Sequence, residues 1–393
     1  MKDEFGLDTP YFLIDEDELA SNAGAFQKAL SDEWGLSALA YSVKTNSLPY
    51  IVSWMNDHGV MAEVVSDEEY ELALLCGHSP ENIVFNGPIK GRECFEKALA
   101  GGSLINIDSK KDLEYLKELA PSDVSRIGIR VNVDPGLFPA SDVGYQEDGF
   151  RFGFSVETGE FGRAAELLEA LSGGRHFGVH MHVNSVTRAV AVYEAIAEKA
   201  AELIKEYGIE PSFIDIGGGF FGGVPGKPTQ AQYVQAVRKK LEGAADPRSV
   251  KLIAEPGSAV IASCTELYTS VLDVKDTARA RIVTTDGSRV HIDPLWQKKG
   301  YSHRIVSAGK PFAKQVVCGY TCMDHDRIMV LEGEPELSEG DRIIYQKVGN
   351  YTVTFGGPFI LTSPSVYVRK DGAVKPVRQK MSVEEYKKME SER

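Results

Sequence analysis

The sequence predicts an α/β protein with two parts, a (β/α)8 barrel of the TIM type followed by an antiparallel β domain. Eight short runs of β-branched and other apolar residues alternate with helix-patterned segments between residues 38 and 257. A closed barrel of eight strands and their crossover helices takes roughly 250 residues. After Gly257 the helical segments cease, which indicates a second domain. We assign residues 1–24 to an N-terminal strand segment, 25–257 to the barrel, and 258–393 to the β domain with its C-terminal tail.

The predicted barrel strands are short, as parallel strands usually are. The segments between them, such as residues 67–75 and 192–204, have the apolar spacing of amphipathic helices. Because all the strands are parallel, the residues that end them converge on one mouth of the barrel, where barrel enzymes place their active sites. The predicted strands are residues 38–44, 60–66, 82–87, 103–109, 127–133, 177–183, 213–219 and 252–257.

In the last third of the chain, strand-like runs lie close together with turn residues between them. This pattern is typical of an antiparallel sheet. Residues 380–393 are rich in charge, and we expect a solvated helix or a frayed end there. The predicted strands of this domain are residues 267–274, 280–284, 315–318, 342–345 and 365–368.

The composition is that of a globular protein. With 393 residues and 43% apolar content, the chain can bury a barrel and a smaller second domain. A net charge of −14 disfavours nucleic acid and anionic membranes as partners. No run of ~20 apolar residues occurs, and the charged first five residues do not resemble a signal peptide. We therefore expect a cytoplasmic protein whose five cysteines are reduced thiols.

The predicted strand ends carry residues with distinctive chemistry. Lys44 follows the first strand, and a lysine amine can form an imine with an aldehyde, although most lysines are solvated surface charges. Three consecutive glycines, 217–219, follow the seventh strand, in the usual phosphate site of a barrel, where free backbone N–H groups can approach an anion. Glu255 ends the eighth strand. Further polar residues at strand ends are Glu63, Arg130, His180 and His182.

Together, these residues predict a binding site for pyridoxal 5′-phosphate. A carboxylate such as Glu255 beside the ring nitrogen would favour the protonated pyridinium and make the ring an electron sink. An imidazole such as that of His182 could stack on the ring and fix its plane. Each residue alone has an ordinary structural explanation, as a strand-end polar group or a hydrogen-bonded interior histidine. The whole set at one barrel mouth favours the cofactor.

At these residues the chain resembles the fold-type III pyridoxal-phosphate decarboxylases that act on diaminopimelate, ornithine and arginine. The matching motifs run in family order along almost the whole chain, and as a set they are highly specific. They are Tyr41-Ser42-Val43-Lys44-Thr45-Asn46, Val65-Ser66-Asp67-Glu68-Glu69, Ile83-Val84-Phe85-Asn86-Gly87-Pro88, Arg151-Phe152-Gly153, His180-Met181-His182-Val183-Asn184-Ser185, Asp215-Ile216-Gly217-Gly218-Gly219-Phe220, Glu255-Pro256-Gly257, Cys322 with Asp326, and Gly349-Asn350-Tyr351.

The resemblance implies a role for each matching residue. Lys44 would carry the cofactor as an imine, Glu255 would pair with the pyridinium, and His182 would stack on the ring. Cys322 would reach in from a second subunit and protonate the carbanion left by carbon dioxide, so the resemblance implies a homodimer with shared active sites. The N-terminal strand at residues 11–14 would join the second domain's sheet. The other implied cofactor-binding residues are Glu63, Arg130, Ser185, Gly217, Gly218, Gly219, Gly257 and Tyr351.

Departures from the family pattern bear on the substrate. Met323 stands where diaminopimelate enzymes have glutamate, and Ile292-Asp293-Pro294 replaces the arginine-proline motif that grips a distal carboxylate. Ser258 and Asn184 replace an arginine and a glycine of the family. Since a bidentate arginine is the natural partner of a carboxylate, these losses argue against diaminopimelate. Asp293 and Asp324 could instead receive a distal ammonium group, or either could be a turn residue.

We therefore expect a decarboxylase that acts at Cα of a basic amino acid such as ornithine or lysine. The competing substrates are a carboxylated biosynthetic intermediate, a carrier-bound aminoacyl group and diaminopimelate itself, and the stereochemistry is open. An amino-acid racemase shares the cofactor and the domain plan, and a decarboxylase-like regulator without turnover is the non-enzymatic alternative. A metal-dependent barrel hydrolase could use His180 and His182, but the further ligands that it normally needs are missing, so we expect no metal.

Overall fold

The computed structural model describes residues 4–298 and 300–391. It divides the chain into two compact units, one formed by Asn22–Val260 and the other by Met1–Ser21 together with Ile261–Arg393. Strands and helices are numbered below along the whole chain. In the described residues, no helix is both long enough and apolar enough to cross a membrane.

The first unit is a closed parallel barrel. Its eight strands follow one another around the barrel in the order β5-β4-β3-β2-β10-β9-β8-β6, and β5 pairs with β6 to close the ring. The two-residue strand β7 adds to the end of β6. The strands are β2 (Ser37–Ser42), β3 (Met61–Val64), β4 (Ile83–Phe85), β5 (Leu104–Ile107), β6 (Ile127–Asn132), β7 (Phe154–Ser155), β8 (Gly178–His180), β9 (Phe213–Asp215) and β10 (Lys251–Ala254).

All eight predicted barrel strands are present, each within the range expected or one residue beyond it. They read as apolar runs because both faces of such a strand are buried, one inside the barrel and one under the helices. Side chains from six strands, including Ala40, Val84, Phe213 and Ile253, fill one core cluster inside the ring. The helices are α1 (Glu16–Glu33), α2 (Pro49–Asp57), α3 (Asp67–Leu75), α4 (Arg92–Ala100), α5 (Lys110–Leu119), α6 (Glu160–Ser172), α7 (Val190–Glu206), α8 (Gln230–Leu241) and α9 (Ser258–Ile261).

Helix α3 begins with a side-chain cap at Ser66. The Ser66 hydroxyl accepts a hydrogen bond from the Glu69 N–H at 3.2 Å. The Glu69 carboxylate accepts from the Val65 N–H at 2.9 Å, one residue earlier than the usual reciprocal bond of a capping box. Glu69 therefore satisfies a backbone donor at the entry to the helix, which is a structural role.

The second unit is one nine-stranded sheet with the strand order β15-β14-β12-β11-β1-β17-β18, and β16 pairs with both β11 and β13. The N-terminal strand β1 lies between β11 and β17. The elements are β1 (Tyr11–Asp15), β11 (Thr265–Asp276), β12 (Arg281–Thr285), β13 (His303–Val306), β14 (Gln315–Cys318), β15 (Arg327–Leu331), β16 (Arg342–Tyr345), β17 (Ser365–Lys370), β18 (Ala373–Arg378), α10 (Arg289–Ile292) and α11 (Val383–Glu390).

The sheet of the second unit is mostly antiparallel, as the sequence predicts, but it is mixed. The pairs β1–β17 and β12–β14 are parallel. Parallel partners need a long connection rather than a hairpin, and the close spacing of strand-like runs in the sequence does not reveal which runs are joined in this way. Helix α11 lies within the charged tail where a solvated helix was one of the two expectations.

Candidate active site

The lysine at the first strand end is paired with a buried carboxylate. Strand β2 ends at Ser42, and Lys44 lies in the single helical turn that follows. Its Nζ donates to Oε2 of Glu63 at 2.7 Å. Glu63 is the β3 residue opposite Ser42 in the register, and the Ser42 hydroxyl donates to the same oxygen. Burial alone would raise the pKa of Glu63, but the charge of Lys44 and the hydrogen bonds to the carboxylate hold that pKa below its usual value.

A hydrogen-bonded chain leads from Glu63 across the barrel to Glu255. The Asn86 side-chain nitrogen donates to Glu63 at 3.0 Å and to Glu255 at 2.6 Å. Its carbonyl oxygen accepts from the Asn106 amide at 2.8 Å, and that amide also donates to Asp215 at 2.9 Å. All five side chains are buried. The end of β2 is thus connected to the ends of β9 and β10 entirely through side chains.

Glu255 and Asp215 form a second carboxylate pair, and the two side chains share a hydrogen bond. Burial raises the pKa of Glu255 well above its usual value, and the negative charges of Asp215 and Glu63 raise it further. Burial also raises the pKa of Asp215, to about 6, although hydrogen bonds from Glu255, the Gly217 N–H and Asn106 oppose the rise. The two carboxyl groups therefore hold protons more tightly than free carboxyl groups do, and a cation placed beside Glu255 would lower its proton affinity.

The two histidines at the sixth barrel strand have different surroundings. His182 accepts a hydrogen bond at Nδ1 from the Gly218 N–H at 3.2 Å, so its neutral ring carries the proton on Nε2. Burial lowers the pKa of His182 to about 3, and the charges of Arg130 and Lys44 act in the same direction. His180 is buried, its Nε2 lies 3.7 Å from Glu255, and neither of its ring nitrogens has a hydrogen-bond partner in the described residues.

The glycine turn after β9 is shaped by contacts within the protein. Gly217 has a φ of 64°, and a Cβ there would lie 2.3 Å from the His182 ring. A Cβ on Gly218 would lie 2.4 Å from the Glu255 carbonyl oxygen. The Gly217 N–H donates to Asp215 and the Gly218 N–H to His182, so these two amides are engaged, in contrast to the expectation of three free donors. Among the described residues, the Gly219 N–H has no acceptor.

Ser185 and Arg130 are both held by neighbouring residues. The Ser185 hydroxyl accepts from the Arg188 N–H at 2.8 Å and donates to the Asp142 carbonyl at 3.3 Å. Arg130 forms an ion pair with Asp108 at 2.9 Å. The Arg130 guanidinium also lies 4.5 Å from the centre of the Phe152 ring, and the Arg151 guanidinium lies 4.4 Å from the same ring. The loop after β6 is therefore tied to the barrel by Arg130.

Comparison with known proteins assigns this barrel to a family. Residues 16–262 match the family model described as pyridoxal-dependent decarboxylase, pyridoxal binding domain. The chain is 30% identical over 362 residues to a diaminopimelate decarboxylase of Archaeoglobus fulgidus, covering 87% of this chain and 83% of that protein. It is 26% identical over 402 residues to one from Helicobacter pylori strain J99, covering 98% of this chain and 96% of that protein. The chain belongs to the pyridoxal-dependent decarboxylases.

Solved structures show the same fold. A crystal structure of diaminopimelate decarboxylase from Helicobacter pylori complexed with L-lysine superposes with a TM-score of 0.80 at 24% identity, covering 98% of this chain and 97% of that one. The arginine decarboxylase of Paramecium bursaria Chlorella virus gives a TM-score of 0.77 at 21% identity, covering 92% and 96%. At these identities the likeness shows the fold alone. The family membership identifies the chain as a pyridoxal-phosphate-dependent carboxy-lyase that acts on an amino acid.

The barrel of this decarboxylase fits its cofactor. Lys44 offers an amine for an aldehyde, and Glu255 offers a carboxyl group that a pyridinium would ionise. Two sets of buried polar atoms lack partners in the described residues. The His180 ring nitrogens lie at the end of β8, with Nε2 3.7 Å from Glu255, and the Thr45 hydroxyl follows Lys44 directly. Buried polar groups are normally hydrogen-bonded, so such atoms are typical of a ligand site. The Gly219 amide adds a donor for an anion.

A metal centre is not what this cluster resembles. His180, Asp215 and Glu255 have ligand atoms within 4.8 Å of one another. The hydrolase alternative from the sequence used His180 and His182 together, but His182 is not part of this group, and its Nδ1 accepts from a backbone amide. The two carboxyl groups already share a hydrogen bond and are held by two asparagines.

Four of the predicted site residues of the decarboxylase belong to the second unit. Cys322 is an exposed free thiol in the β14–β15 connection. The buried Asp326 carboxylate holds this turn by accepting from the hydroxyls of Thr321 and Ser288 at 2.6 and 2.8 Å. Asp324 is exposed. Tyr351 has a φ of 60°, in the left-handed region.

Asp293 has its own set of donors. It is buried and pairs with Arg289 at 2.6 Å. It also accepts from the Tyr301 hydroxyl at 2.9 Å and from the backbone N–H groups of Gln297 and Lys298, both at 3.0 Å. These four donors engage both carboxylate oxygens, which supports the turn role that the sequence left open for this residue.

Sequence reasoning gave no role to Asn86, Asn106 or Asp215, which connect the predicted residues. Asn86 and Asp215 stand within matching motifs, and Asn106 is a polar residue inside an otherwise apolar strand. A polar residue in a buried strand indicates that a partner exists, and this signal was available in the sequence. The identity of the partners was not available, since they lie on other strands.

Proposed function

We propose that this decarboxylase removes the Cα carboxylate of a basic amino acid such as ornithine or lysine, or of a related biosynthetic intermediate. We also propose that it works as a homodimer in which each site receives Cys322 from the partner subunit. The observation that carries the site assignment is the connected set of Lys44, Glu63, Asn86 and Glu255 at the mouth of the barrel.

The barrel residues have distinct tasks. When bound, the cofactor supplies an electron-withdrawing ring that accepts the electrons left at Cα as carbon dioxide departs. Lys44 presents its amine to the cofactor aldehyde, and Glu63 holds a proton at Nζ through its 2.7 Å contact. Glu255 stabilises a proton on the ring nitrogen, because a buried carboxylate is a strong partner for a cation. His182, fixed by Gly218, would pack against the ring as a neutral imidazole.

The phosphate would be held by the loops after barrel strands six to eight. The proposed groups are Ser185, Gly217, Gly218, Gly219 and Gly257, together with Tyr351 and, at the ring, Arg130. The amide of Gly219 is the donor best suited to the task, since the amides of Gly217 and Gly218 already orient Asp215 and His182. Gly217 and Gly218 would then act by allowing the close backbone approach.

Charge in the second unit supports a substrate with a distal ammonium group. Asp324 is exposed and is the acidic residue that we assign to this group. A distal carboxylate of the substrate would need a cation to bind it. Arg289 lies four residues before the position where the family has its arginine, but its guanidinium forms an ion pair with Asp293. The relatives named diaminopimelate decarboxylases make diaminopimelate the second candidate.

Two features support the homodimer. Cys322 is exposed, as a proton donor delivered to a neighbouring subunit must be. A short segment of the second unit also exposes apolar side chains, which are Phe355 at 52%, Phe359 at 43%, Ile360 at 56% and Leu361 at 38%. Clustered exposed apolar residues are typical of an interface, and a second copy of this chain is the partner that the shared-site mechanism needs.

The test is turnover by the cofactor-loaded enzyme on a panel of L- and D-amino acids comprising ornithine, lysine, arginine and diaminopimelate. We expect carbon dioxide release and the matching amine, with ornithine or lysine preferred over diaminopimelate. Preference for diaminopimelate would replace the proposed substrate. Exchange of the Cα hydrogen with inversion and without carbon dioxide would indicate a racemase. A protein that takes up no cofactor would be a decarboxylase-like regulator.

A further inference from the structure

We propose that Asn86 is a positioning residue that sets the protonation state of the active site by bridging the carboxylate beside Lys44 and the carboxylate beside the ring nitrogen. This inference rests on the proposed roles of Lys44 and Glu255. It adds a hydrogen-bonded connection between these two residues. The groups at the two ends of the cofactor would therefore act together and not independently.

The bridge is made by a single amide nitrogen. Asn86 directly follows β4 and is buried, and its Nδ2 donates one hydrogen to Glu63 Oε1 at 3.0 Å and the other to Glu255 Oε1 at 2.6 Å. A side-chain amide has only two N–H groups, so both are used on carboxylates. In the strand order, β3 and β2 stand between β4 and β10. Asn86 therefore reaches across the barrel rather than to a neighbouring strand.

The orientation of the Asn86 amide is determined by its other partner. Its Oδ1 accepts from Asn106 at 2.8 Å, and the second hydrogen of Asn106 goes to Asp215 at 2.9 Å. Reversing Asn86 would direct its carbonyl oxygen at two carboxyl groups and its NH2 group at the NH2 group of Asn106. Because a buried polar group without a partner is costly, only the observed orientation of Asn86 gives each of its three partners a complementary group.

The position of Asn86 has an electrostatic consequence. Glu63 and Glu255 are both buried, and the charge of Glu63 is one of the influences that raise the pKa of Glu255. A donor shared by the two carboxylates stabilises the ionised form of both, and hydrogen bonds to charged groups are among the stronger ones in proteins. Without this donor, Glu63 and Glu255 would both hold protons more tightly. The site would then lose negative charge beside Lys44 and beside the ring nitrogen together.

The test is a spectroscopic pH titration of the cofactor-loaded, full-length protein. Asn86→Leu keeps the approximate size of the side chain and removes both N–H donors without adding a charge. We expect the pH midpoint of the visible cofactor band to move downward by about one unit or more, because carboxyl groups deprived of a donor bind protons more tightly and leave less negative charge beside the protonated nitrogens of the cofactor. We also expect pyridoxal 5′-phosphate to bind at least ~10-fold more weakly, which is the affinity change for one unit of proton affinity.

Two further variants separate positioning from folding. Asn106→Ala keeps Asn86 and both glutamates but removes the donor that orients the amide, and we expect a smaller shift in the same direction. It also serves as the test if Asn86→Leu does not fold. Asn132→Leu is the matched control, because the Asn132 amide donates to the backbone carbonyls of Phe150 and Phe152, at 2.6 and 2.7 Å. This variant should keep the wild-type midpoint.

The outcomes distinguish the inference from the function on which it rests. A wild-type protein without a visible cofactor band would overturn the proposed roles of Lys44 and Glu255. A wild-type band together with unchanged midpoints and affinities in both Asn86→Leu and Asn106→Ala would overturn the role of Asn86 alone. An equal shift in Asn132→Leu would show that any loss of packing at this mouth moves the titration, and would also overturn the inference.

Discussion

The Nζ of Lys44 lies 2.7 Å from Oε2 of Glu63, and this contact joins an accessible amine to an inaccessible carboxylate. The Lys44 side chain is 42% exposed, whereas the Glu63 side chain is 1% exposed. A buried charge requires a partner, so the carboxylate is held next to the amine that we propose reacts with the cofactor. The pair explains how a solvated lysine at a strand end can keep a fixed position.

The first prediction concerns Lys44 itself. Borohydride reduction of the cofactor-loaded protein should abolish its visible band and leave one covalent label, which peptide mass spectrometry should locate at Lys44. Lys44→Ala should take up no label. Lys199→Ala, on the surface of α7, should be labelled as the wild type is. A label at another lysine would reassign the reactive amine.

The second prediction concerns the electron sink. Glu255→Gln keeps the size of the side chain and removes the charge that would stabilise a proton on the ring nitrogen. The kcat of decarboxylation should fall by about 100-fold or more, which corresponds to a few kcal/mol of barrier. The surface variant Glu198→Gln is the control. Near-normal kcat in Glu255→Gln would leave this residue as a polar strand terminus only.

The third prediction tests the dimer and the proton donor together. Lys44→Ala and Cys322→Ala homodimers should each be nearly inactive. If the two residues of one site come from different chains, re-equilibrating an equal mixture makes half the dimers heterodimeric, each with one intact site. About a quarter of wild-type decarboxylation should then return. No recovery despite proven subunit exchange would place both residues in the same chain's site.

The fourth prediction uses two glycines. A Cβ on Gly257 would lie 1.9 Å from the Thr45 hydroxyl, so Gly257→Ala must displace the residue next to Lys44. We expect weaker cofactor binding and a lower urea midpoint of unfolding. A Cβ on Gly24, in helix α1, would have open space around it, with no atom within 4 Å, and Gly24→Ala should raise stability by roughly 0.5–1 kcal/mol. Similar effects in both variants would contradict the close-contact argument.

The sequence predicted the barrel well because its strands are apolar, short and separated by amphipathic helices. The same local signal is weak in the second unit, where β13, β15 and β18 were missed. In strand β15, Arg327–Leu331, the first residue and the residue before the last are exposed. Strand β18 contains Pro376. Among the described residues β18 pairs with β17 alone, at the edge of the sheet, where a proline is tolerated.

The sequence did not predict the side-chain contacts between residues on different strands of the closed barrel. The strand ends that carry Lys44 and Glu255 were identified from position alone, but the asparagines that connect them depend on which side chains meet across the barrel. The same limit applies to the glycine turn. Its amides were expected to be free, whereas those of Gly217 and Gly218 bind Asp215 and His182. The partner of Gly217 is Asp215, two residues earlier in the chain. The partner of Gly218 is His182, which follows β8, and the order of residues along the chain does not reveal this contact.

The fifth prediction concerns acid stability. His291 lies in α10, is 2% exposed, and has no hydrogen-bond partner for Nδ1 among the described residues, while Nε2 lies 3.4 Å from the Tyr320 hydroxyl. Burial lowers the pKa of His291 from 6.5 to about 4, against the opposing charge of Asp326 and with that of Arg378. Between these two values the unfolded chain binds a proton that the folded chain does not, so stability falls as pH falls.

His291 should therefore contribute a loss of up to roughly 3 kcal/mol of stability from pH 6.5 to pH 4, whereas the raised pKa values of Asp215 and Glu255 act in the opposite direction. In His291→Gln the urea midpoint should fall less, or rise more, over this range than in the wild type, because one proton-binding group of the unfolded chain is gone. The slope is the readout, since a buried glutamine changes stability at every pH. His176→Gln, at an exposed position in the barrel unit, should keep the wild-type slope. An unchanged slope in His291→Gln would mean that this histidine binds its proton equally well in the folded protein.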